Sequence, residues 1–343
     1  MVGMRIGMLT SGGDAPGLNA VIRGAVVTGQ RVYGHEFIGF LDGWRGVVDN
    51  DWMPLRREEV KGIGKMGGTI LGTSRTNPFD HGGVERVREV MESQSLDALI
   101  AIGGEGTLAG AKRLTDAGLP IIGVPKTVDN DLNGTDYTFG FDTAVQIATD
   151  AMDRLRTTGD AHSRCMVAEV MGRNVGWIAL HSGIAAGAHA ILIPERPASM
   201  EEITKWVLHA FERGRAPLVV VAEGFRLDSM EEAHSERGVD AFGRPRLGGI
   251  ADVLAPLIEV ATGIETRATT LGHIQRGGTP SAFDRVLATR FGMAAIRAVN
   301  NHAWGKMVSL RGTEIEIVDF AEALGSLKVV PPERYEEAAL LFG

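Results

Sequence analysis

Three short segments of this 343-residue chain combine glycine with carboxylate and hydroxyl residues, a mixture suited to phosphate chemistry. Ser11-Gly12-Gly13-Asp14 follows an apolar, strand-like run and precedes a helical pattern. Exposed backbone amides beside a helix N-terminus form an anion cradle, though such a turn also serves as a plain connector. The segment matches neither the phosphate-binding P-loop nor the Gly-x-Gly-x-x-Gly dinucleotide fingerprint. Gly103-Gly104-Glu105-Gly106-Thr107 repeats the arrangement, with a hydroxyl placed to cap a helix or bind phosphate. A carboxylate beside phosphates is unfavourable unless a divalent cation lies between them. Glu105 is therefore a candidate Mg²⁺ ligand, direct or through water, with a solvated loop glutamate as the plain alternative. The third segment is Pro125-Lys126-Thr127-Val128-Asp129-Asn130-Asp131. A hydroxyl nucleophile needs a base to take its proton, and Asp129 or Asp131 can be that base while the other caps a turn.

Basic residues supply the opposite charge: His162-Ser163-Arg164, Arg173, Arg267 and the run His273-Ile274-Gln275-Arg276. Guanidinium forks pair two oxygens at once, which suits a phosphate monoester, although spacing alone does not bring these side chains together.

The elements that must position these segments are short apolar strands alternating with helices. Strands are expected at Arg5–Thr10, Ala98–Ile102, Pro120–Val124, Cys165–Val170, Ala190–Ile193, Pro217–Ala222 and Arg267–Leu271. Helical faces run through Leu18, Val21, Ile22, Ala25 and Val26, through Leu108, Ala111 and Leu114, and from Phe141 to Leu155. Ser199 with Glu202 forms a capping box ahead of Ile203, Trp206 and Val207. The fold class is α/β, as two doubly wound units with mainly parallel sheets covered on both faces. Ligands of such sheets collect at the carboxyl ends of the strands, where the three segments fall. The stretch Gly224–Gly249, rich in charge and glycine, reads as a surface excursion.

Hydrophobic residues at 44% and charged residues at 23% fit a globular protein and exclude extensive disorder. The 46 glycines exceed the usual share of about 7% without a three-residue period, so they serve turns and close backbone approach. A single cysteine, Cys165, excludes an internal disulfide or a cysteine metal cage. The absence of a charged-then-apolar leader and of a spanning apolar run predicts a cytoplasmic protein with no membrane partner. A net charge of -8 argues against a nucleic-acid surface.

Taken in order, these motifs resemble the bacterial-type 6-phosphofructokinases. The residues that carry the resemblance are Ser11–Asn19, the Gly103–Thr107 loop, Pro125–Asp131, Glu169-Val170-Met171-Gly172-Arg173 and Gly272-His273-Ile274-Gln275-Arg276-Gly277-Gly278. The match runs from residue 5 to about residue 290 and is most similar to actinobacterial members. It implies an active site in a cleft between a nucleotide-binding domain (1–140 plus about 275–325) and a sugar-phosphate-binding domain (141–274 plus about 326–343). Asp129 is then the base for the 1-hydroxyl of fructose 6-phosphate, and Thr127 and Arg173 stabilise the moving phosphoryl group. Arg164, Arg267, His273 and Arg276 hold the 6-phosphate, with Arg164 and Arg267 reaching in from a neighbouring subunit of a homodimer or homotetramer. Met171, Gly172 and Glu223 contact the sugar. Gly13, Arg75 and the stretch containing Gly103, Gly104, Gly106, Thr107 and Gly110 bind the donor ATP, and Glu105 the Mg²⁺.

The donor marks are mixed. ATP-using relatives carry glycine at the position of Gly106, whereas pyrophosphate-using relatives carry aspartate there and lysine at the position of Lys126. An aspartate at 106 would meet the α-phosphate of ATP, while Lys126 reads as long, flexible and excluding nothing. ATP is therefore the expected donor, with pyrophosphate as the alternative. Arg23, Arg156, Arg213 and Arg215 match parts of the relatives' effector cluster, but Val27 and Ala216 stand where basic residues are expected. An NAD kinase shares the Gly103–Thr107 loop without needing a His273–Arg276 clamp. A non-catalytic sensor has no use for Asp129, Thr127 and Arg173.

Overall fold

The computed structural model describes residues 3–228 and 248–343. The middle of the Gly224–Gly249 excursion, 229–247, lies outside the described residues. In chain order the elements are β1 (Arg5–Ser11), α1 (Leu18–Thr28), β2 (Glu36–Phe40), α2 (Trp44–Asp49), β3 (Trp52–Pro54), α3 (Gly83–Ser93), β4 (Ala98–Gly103), α4 (Glu105–Asp116) and β5 (Ile121–Pro125). There follow α5 (Phe141–His162), β6 (Cys165–Val170), α6 (Trp177–Ala185), β7 (Ala190–Leu192), α7 (Met200–Glu212), β8 (Leu218–Ala222), α8 (Ile250–Thr262) and β9 (Thr266–Thr270). The chain closes with α9 (Ala282–Asn300), β10 (Lys306–Arg311), β11 (Glu314–Asp319), α10 (Phe320–Leu324) and α11 (Pro332–Ala339).

These elements form two compact units: Met1–Thr143 with Arg276–Leu327, and Ala144–Gln275 with Lys328–Gly343. The first holds a seven-stranded sheet in the order β11-β10-β5-β4-β1-β2-β3. Its pairs are parallel except β2–β3 and β10–β11. Alternate residues serve opposite faces, as the period of a strand requires. Ile6, Met8, Ile100 and Ile102 pack in the core with α1 and α9, whereas Leu9, Leu99 and Ala101 join the core with α2, α3 and α4. At the α1–α9 crossing a Cβ on Gly24 would fall 2.6 Å from Thr289 O, so only glycine admits this approach.

The second unit carries a parallel four-stranded sheet in the order β7-β8-β6-β9. Cys165, Val167, Val219 and Val221 form its core with α7 and α8. The capping box forms at α7: Glu202 N–H donates to Ser199 Oγ (3.2 Å) and Ser199 N–H to Glu202 Oε2 (3.1 Å). Trp206 is only half-buried beside the buried Ile203 and Val207.

Three sequence expectations change. β2, β3, β10 and β11 lie outside the predicted strands. β2 is interrupted by Gly39, where a Cβ would sit 2.3 Å from Leu71, and β11 is a largely exposed outer strand. β9 is an edge strand, exposed at Arg267 and Thr270, so the smaller sheet is not covered throughout. Helix α1 does not open at Ser11-Gly12-Gly13-Asp14 but at Leu18, behind an N-cap glycine, Gly17, at φ 115°. Pro16 disfavours the helical region for the residue before it, which delays the start.

Candidate active site

Register places the loops. Ser11 pairs with Gly103 and Gly103 with Pro125, so the segments after β1, β4 and β5 leave one sheet edge side by side. The turn after β1 is braced from residues 73–74: Gly12 N–H donates to Ser74 O (3.0 Å) and Thr73 Oγ1 to Gly12 O (2.6 Å). The Gly12 amide is therefore already satisfied, which narrows the cradle expected there. Arg75 follows this brace, exposed. Gly12 requires its φ of 85°, and Gly13 makes room for Arg276, whose guanidinium would lie 2.8 Å from a Cβ there. Arg276 Nη1 donates to Asp14 O at 3.0 Å, so this arginine is seated on the turn after β1.

Lys126 is not the flexible side chain expected. It is 3% exposed, and its ammonium reaches the turn after β1 and donates to Gly13 O. Burial pushes its pKa down to about 8, helped by neighbouring Arg276 and opposed by Asp14, Asp131 and Asp129. Lys126 is thus an enclosed amine within electrostatic reach of three carboxylates.

Helix α4 begins directly at the glycine loop, with Gly104 as N-cap and Glu105 exposed in the first turn. Thr107 makes no cap. It is buried inside the helix, close against Gly103, and Gly110 lies beside Trp44. Gly106 has no φ requirement, and a Cβ there would meet nothing within 4 Å. A glycine in a helical turn costs about 1 kcal/mol relative to alanine, and neither backbone nor packing explains this one. After β5, Asp129 N–H donates to Thr127 Oγ1 (3.1 Å), which fixes the hydroxyl against the aspartate's backbone. Asn130, at φ 53°, accepts from Thr138 N–H (3.1 Å) and takes the structural part in this loop. Asp131 shares a cavity of about 260 Å³ with Glu105, Leu132 and 323–327. No group of three or more His, Cys, Asp or Glu side chains gathers in a metal-holding arrangement among the described residues. Mg²⁺ needs only one or two carboxylates besides substrate phosphates, so Glu105 with Asp131 fits that ion.

In the second unit Val170 pairs with Ala222 and Glu169 with Thr270, which sets the loops after β6, β8 and β9 side by side. Gly172 adopts φ 139°, and Gly224 N–H donates to Gly172 O (3.1 Å). A Cβ on Gly224 would lie 1.9 Å from Arg173 O, so the two loops touch through backbone. Glu223 N–H donates to Val170 O at 2.9 Å. Met171 is buried, Arg173 half-buried and His273 exposed.

Arg164 and Arg267 lie elsewhere. Cys165 pairs with Thr266, so both arginines sit at the amino ends of β6 and β9. A six-residue strand spans roughly 20 Å, so one protomer keeps them away from Met171–Arg173. Glu265 lies between them, paired with Arg164 at 2.6 Å and also with Arg267. The hydrogen bond from Arg164 holds the Glu265 carboxyl below its usual range, with Arg267 adding to the effect. Arg156 and Arg215 both bear on His189, whose pKa is lowered first by burial and then by those arginines. Arg213 donates to Gly343 O at 3.1 Å, and Arg23 is an exposed residue of the first unit.

Two residues that the sequence reading named only as motif members take roles it did not assign. Glu169, 1% exposed, accepts from Gly249 N–H and Ala251 N–H at 3.0 Å and so anchors the start of α8. A glutamate inside an apolar strand was the available signal. Gln275, fully buried, accepts from Met171 N–H (3.3 Å) and donates to Gly272 O (3.0 Å), a role hidden between two better-marked neighbours.

Glycine turns at the carboxyl ends of parallel strands are where an α/β protein that handles phosphates places its site. The family model described as "Phosphofructokinase" matches residues 5–299, and the chain belongs to the phosphofructokinase family. It is 58% identical over 341 residues to a pyrophosphate–fructose 6-phosphate 1-phosphotransferase of Amycolatopsis methanolica, covering 99% of this chain and 100% of the relative. It is 55% identical over 338 residues to ATP-dependent 6-phosphofructokinase 3 of Streptomyces coelicolor, covering 98% and 99% respectively. Among solved structures, phosphofructokinase of Pichia pastoris in the T-state superposes with a TM-score of 0.83 at 33% identity. The match covers 99% of this chain and 36% of that longer one. No helix among the described residues is long and apolar enough to cross a membrane.

Proposed function

We propose that this enzyme transfers the γ-phosphoryl group of ATP to the 1-hydroxyl of fructose 6-phosphate, giving fructose 1,6-bisphosphate and ADP. The observation that carries the choice of ATP is Gly106, a glycine with open space and no structural reason of its own. That space leaves room for the α-phosphate of a nucleotide. The first unit is the donor side, and the loops after β6, β8 and β9 in the second are the sugar side.

In this reading Asp129 takes the proton of the 1-hydroxyl as its oxygen bonds to the γ-phosphorus and the bond to the β-phosphate bridge breaks. The Thr127 hydroxyl and Arg173 stabilise charge on the moving group. Glu105 and Asp131 would hold Mg²⁺, which would supply neutralising charge for the donor phosphates. The amino-end position of Arg164 and Arg267 supports their service to a neighbouring subunit's 6-phosphate in a homo-oligomer with shared sites. His273 completes the clamp on the sugar side, whereas the Arg276 guanidinium, donating to Asp14 O, braces the donor-side turn. The buried, unreactive Cys165 thiol, pushed up to about 12 by burial, suits a cytoplasmic enzyme.

A second reading, with pyrophosphate as donor, is favoured by Lys126, an enclosed ammonium suited to a compact, highly charged donor. It is favoured also by the 58% identity to a relative named as a pyrophosphate–fructose 6-phosphate 1-phosphotransferase. Initial rates with fructose 6-phosphate and Mg²⁺ separate the two. ATP is expected to exceed pyrophosphate in kcat/KM by about tenfold or more, the scale of a 1.4 kcal/mol preference. The reverse order replaces the first reading by the second.

A further inference from the structure

Gln275 and Arg276 are consecutive, yet their side chains are tied to different units. Gln275 is fully buried in the second unit, and its amide uses both ends. Its oxygen accepts from Met171 N–H, and its nitrogen donates to Gly272 O, the residue before His273. One side chain therefore holds together the two loops that carry Met171-Gly172-Arg173 and His273. Arg276 belongs to the first unit, where its guanidinium donates to Asp14 O and fills the space that Gly13 leaves open. A shift of the sugar-side loops moves Gln275, and through one peptide bond it moves the backbone of the arginine that braces the turn after β1.

We propose that Gln275 is a positioning residue and that Gln275-Arg276 forms a two-residue link through which occupancy of the sugar site tightens donor binding. The proposal rests on the reading above, in which the loops after β6 and β9 meet the sugar and the Gly13 turn meets the donor. Sugar that orders the Met171 and His273 loops fixes Gln275, and the donor then meets an Arg276 already held in place. Coupling of this kind is reciprocal: the factor by which sugar improves donor binding equals the factor by which donor improves sugar binding.

The test measures the Kd of a non-hydrolysable analogue of the preferred donor, with Mg²⁺, in the absence and presence of saturating fructose 6-phosphate. The analogue is AMP-PNP if ATP is preferred and methylenediphosphonate if pyrophosphate is. The wild type is expected to gain about fivefold or more from the sugar, the lower end of typical coupling. Gln275→Leu leaves the Met171 N–H and Gly272 carbonyl unpaired. It is expected to raise the KM for fructose 6-phosphate about tenfold or more, since two buried hydrogen bonds are lost. It should also abolish the gain while leaving donor Kd without sugar within about twofold of the wild type. If Gln275→Leu does not fold, Gln275→Glu takes its place, since it keeps the shape and the acceptor for Met171 but loses the donor to Gly272. A wild type whose donor affinity ignores the sugar overturns the proposal. So does a variant that keeps the gain, or one whose donor Kd weakens equally without sugar, which is the mark of general loosening. A wild type inert toward fructose 6-phosphate removes the functional reading itself, whereas normal turnover with unaltered coupling in the variant removes only the link.

Discussion

Asp129 and Asp131 stand two residues apart and take different parts. The backbone of Asp129 is fixed to the Thr127 hydroxyl, whereas Asp131 shares a cavity with Glu105. Asp129→Ser is expected to lower kcat by at least about 10²-fold with little change in either KM, because the base is lost and the binding contacts remain. Asp131→Ser should act instead on the Mg²⁺ dependence. Steady-state kinetics with titrated Mg²⁺ check both, and a dead Asp131→Ser beside an active Asp129→Ser would reverse the assignment. At Gly106 the open space makes an aspartate sterically harmless to the empty protein. Gly106→Asp should therefore fold normally yet suppress ATP use, since two negative groups a few ångströms apart cost several kcal/mol in a weakly polar site, of order 4 at an effective dielectric of about 20. Melting temperature and activity with both donors read this out, and retained ATP activity contradicts it. At this scale, residue types were legible in sequence and their environments were not. Glu105 between glycines announces itself, but the buried setting of Lys126 is made with Gly13 O, Asp14 and Arg276, which come from distant parts of the chain. Gln275 is a common polar residue until Met171 is seen to donate to it.

The elements that present these residues were legible where strands are continuous apolar runs between helices, as at β1, β4, β5, β6 and β8. The sequence missed β2, which Gly39 interrupts, β3, which is three residues long, and β11, which is largely exposed. β10 is buried over Met307–Leu310 but carries Ser309 within its run, so no continuous apolar stretch marks it. Nor does spacing alone say which edge of a sheet a residue occupies. Spacing left open whether Arg164 and Arg267 converge with Arg173, and register answers it within the chain by putting both at the amino ends of β6 and β9. The start of α9 carries a separate, pH-dependent feature. Asp284 is fully buried, accepts from Thr143 N–H (2.8 Å) and Oγ1 (2.5 Å), and is pushed up from 3.8 to about 6 chiefly by burial. A carboxyl with a raised folded pKa contributes stability that is present below its unfolded value and lost as pH rises through its folded value. The window is thus 3.8 to about 6. The melting temperature of Asp284→Asn relative to wild type should become more positive from about pH 5 to about pH 7.5 and change little above that. A difference that stays constant with pH, or falls, contradicts the protonated, buried state.

On the scale of the whole molecule, the family assignment accounts for the chain from residue 5 to residue 299, and the proposed chemistry requires both units. The shared-site reading makes a specific demand on the assembly. Mixed protomers of inactive Arg267→Ala and inactive Asp129→Ser should recover part of the activity, since one site in a hybrid can combine an intact base with an intact clamp. Hybrids that exchange subunits, shown by mass, yet remain inactive would count against a clamp supplied by the neighbour. The central claim is the transfer itself, and a single vessel tests it. Fructose 6-phosphate, Mg²⁺, ATP and pyrophosphate are incubated with the enzyme at equal donor concentrations and followed by phosphorus NMR. A new phosphate resonance at C1 of the sugar is expected to grow as ATP is converted to ADP, with pyrophosphate persisting. Consumption of pyrophosphate with ATP intact, or no phosphate at C1 at all, would contradict it.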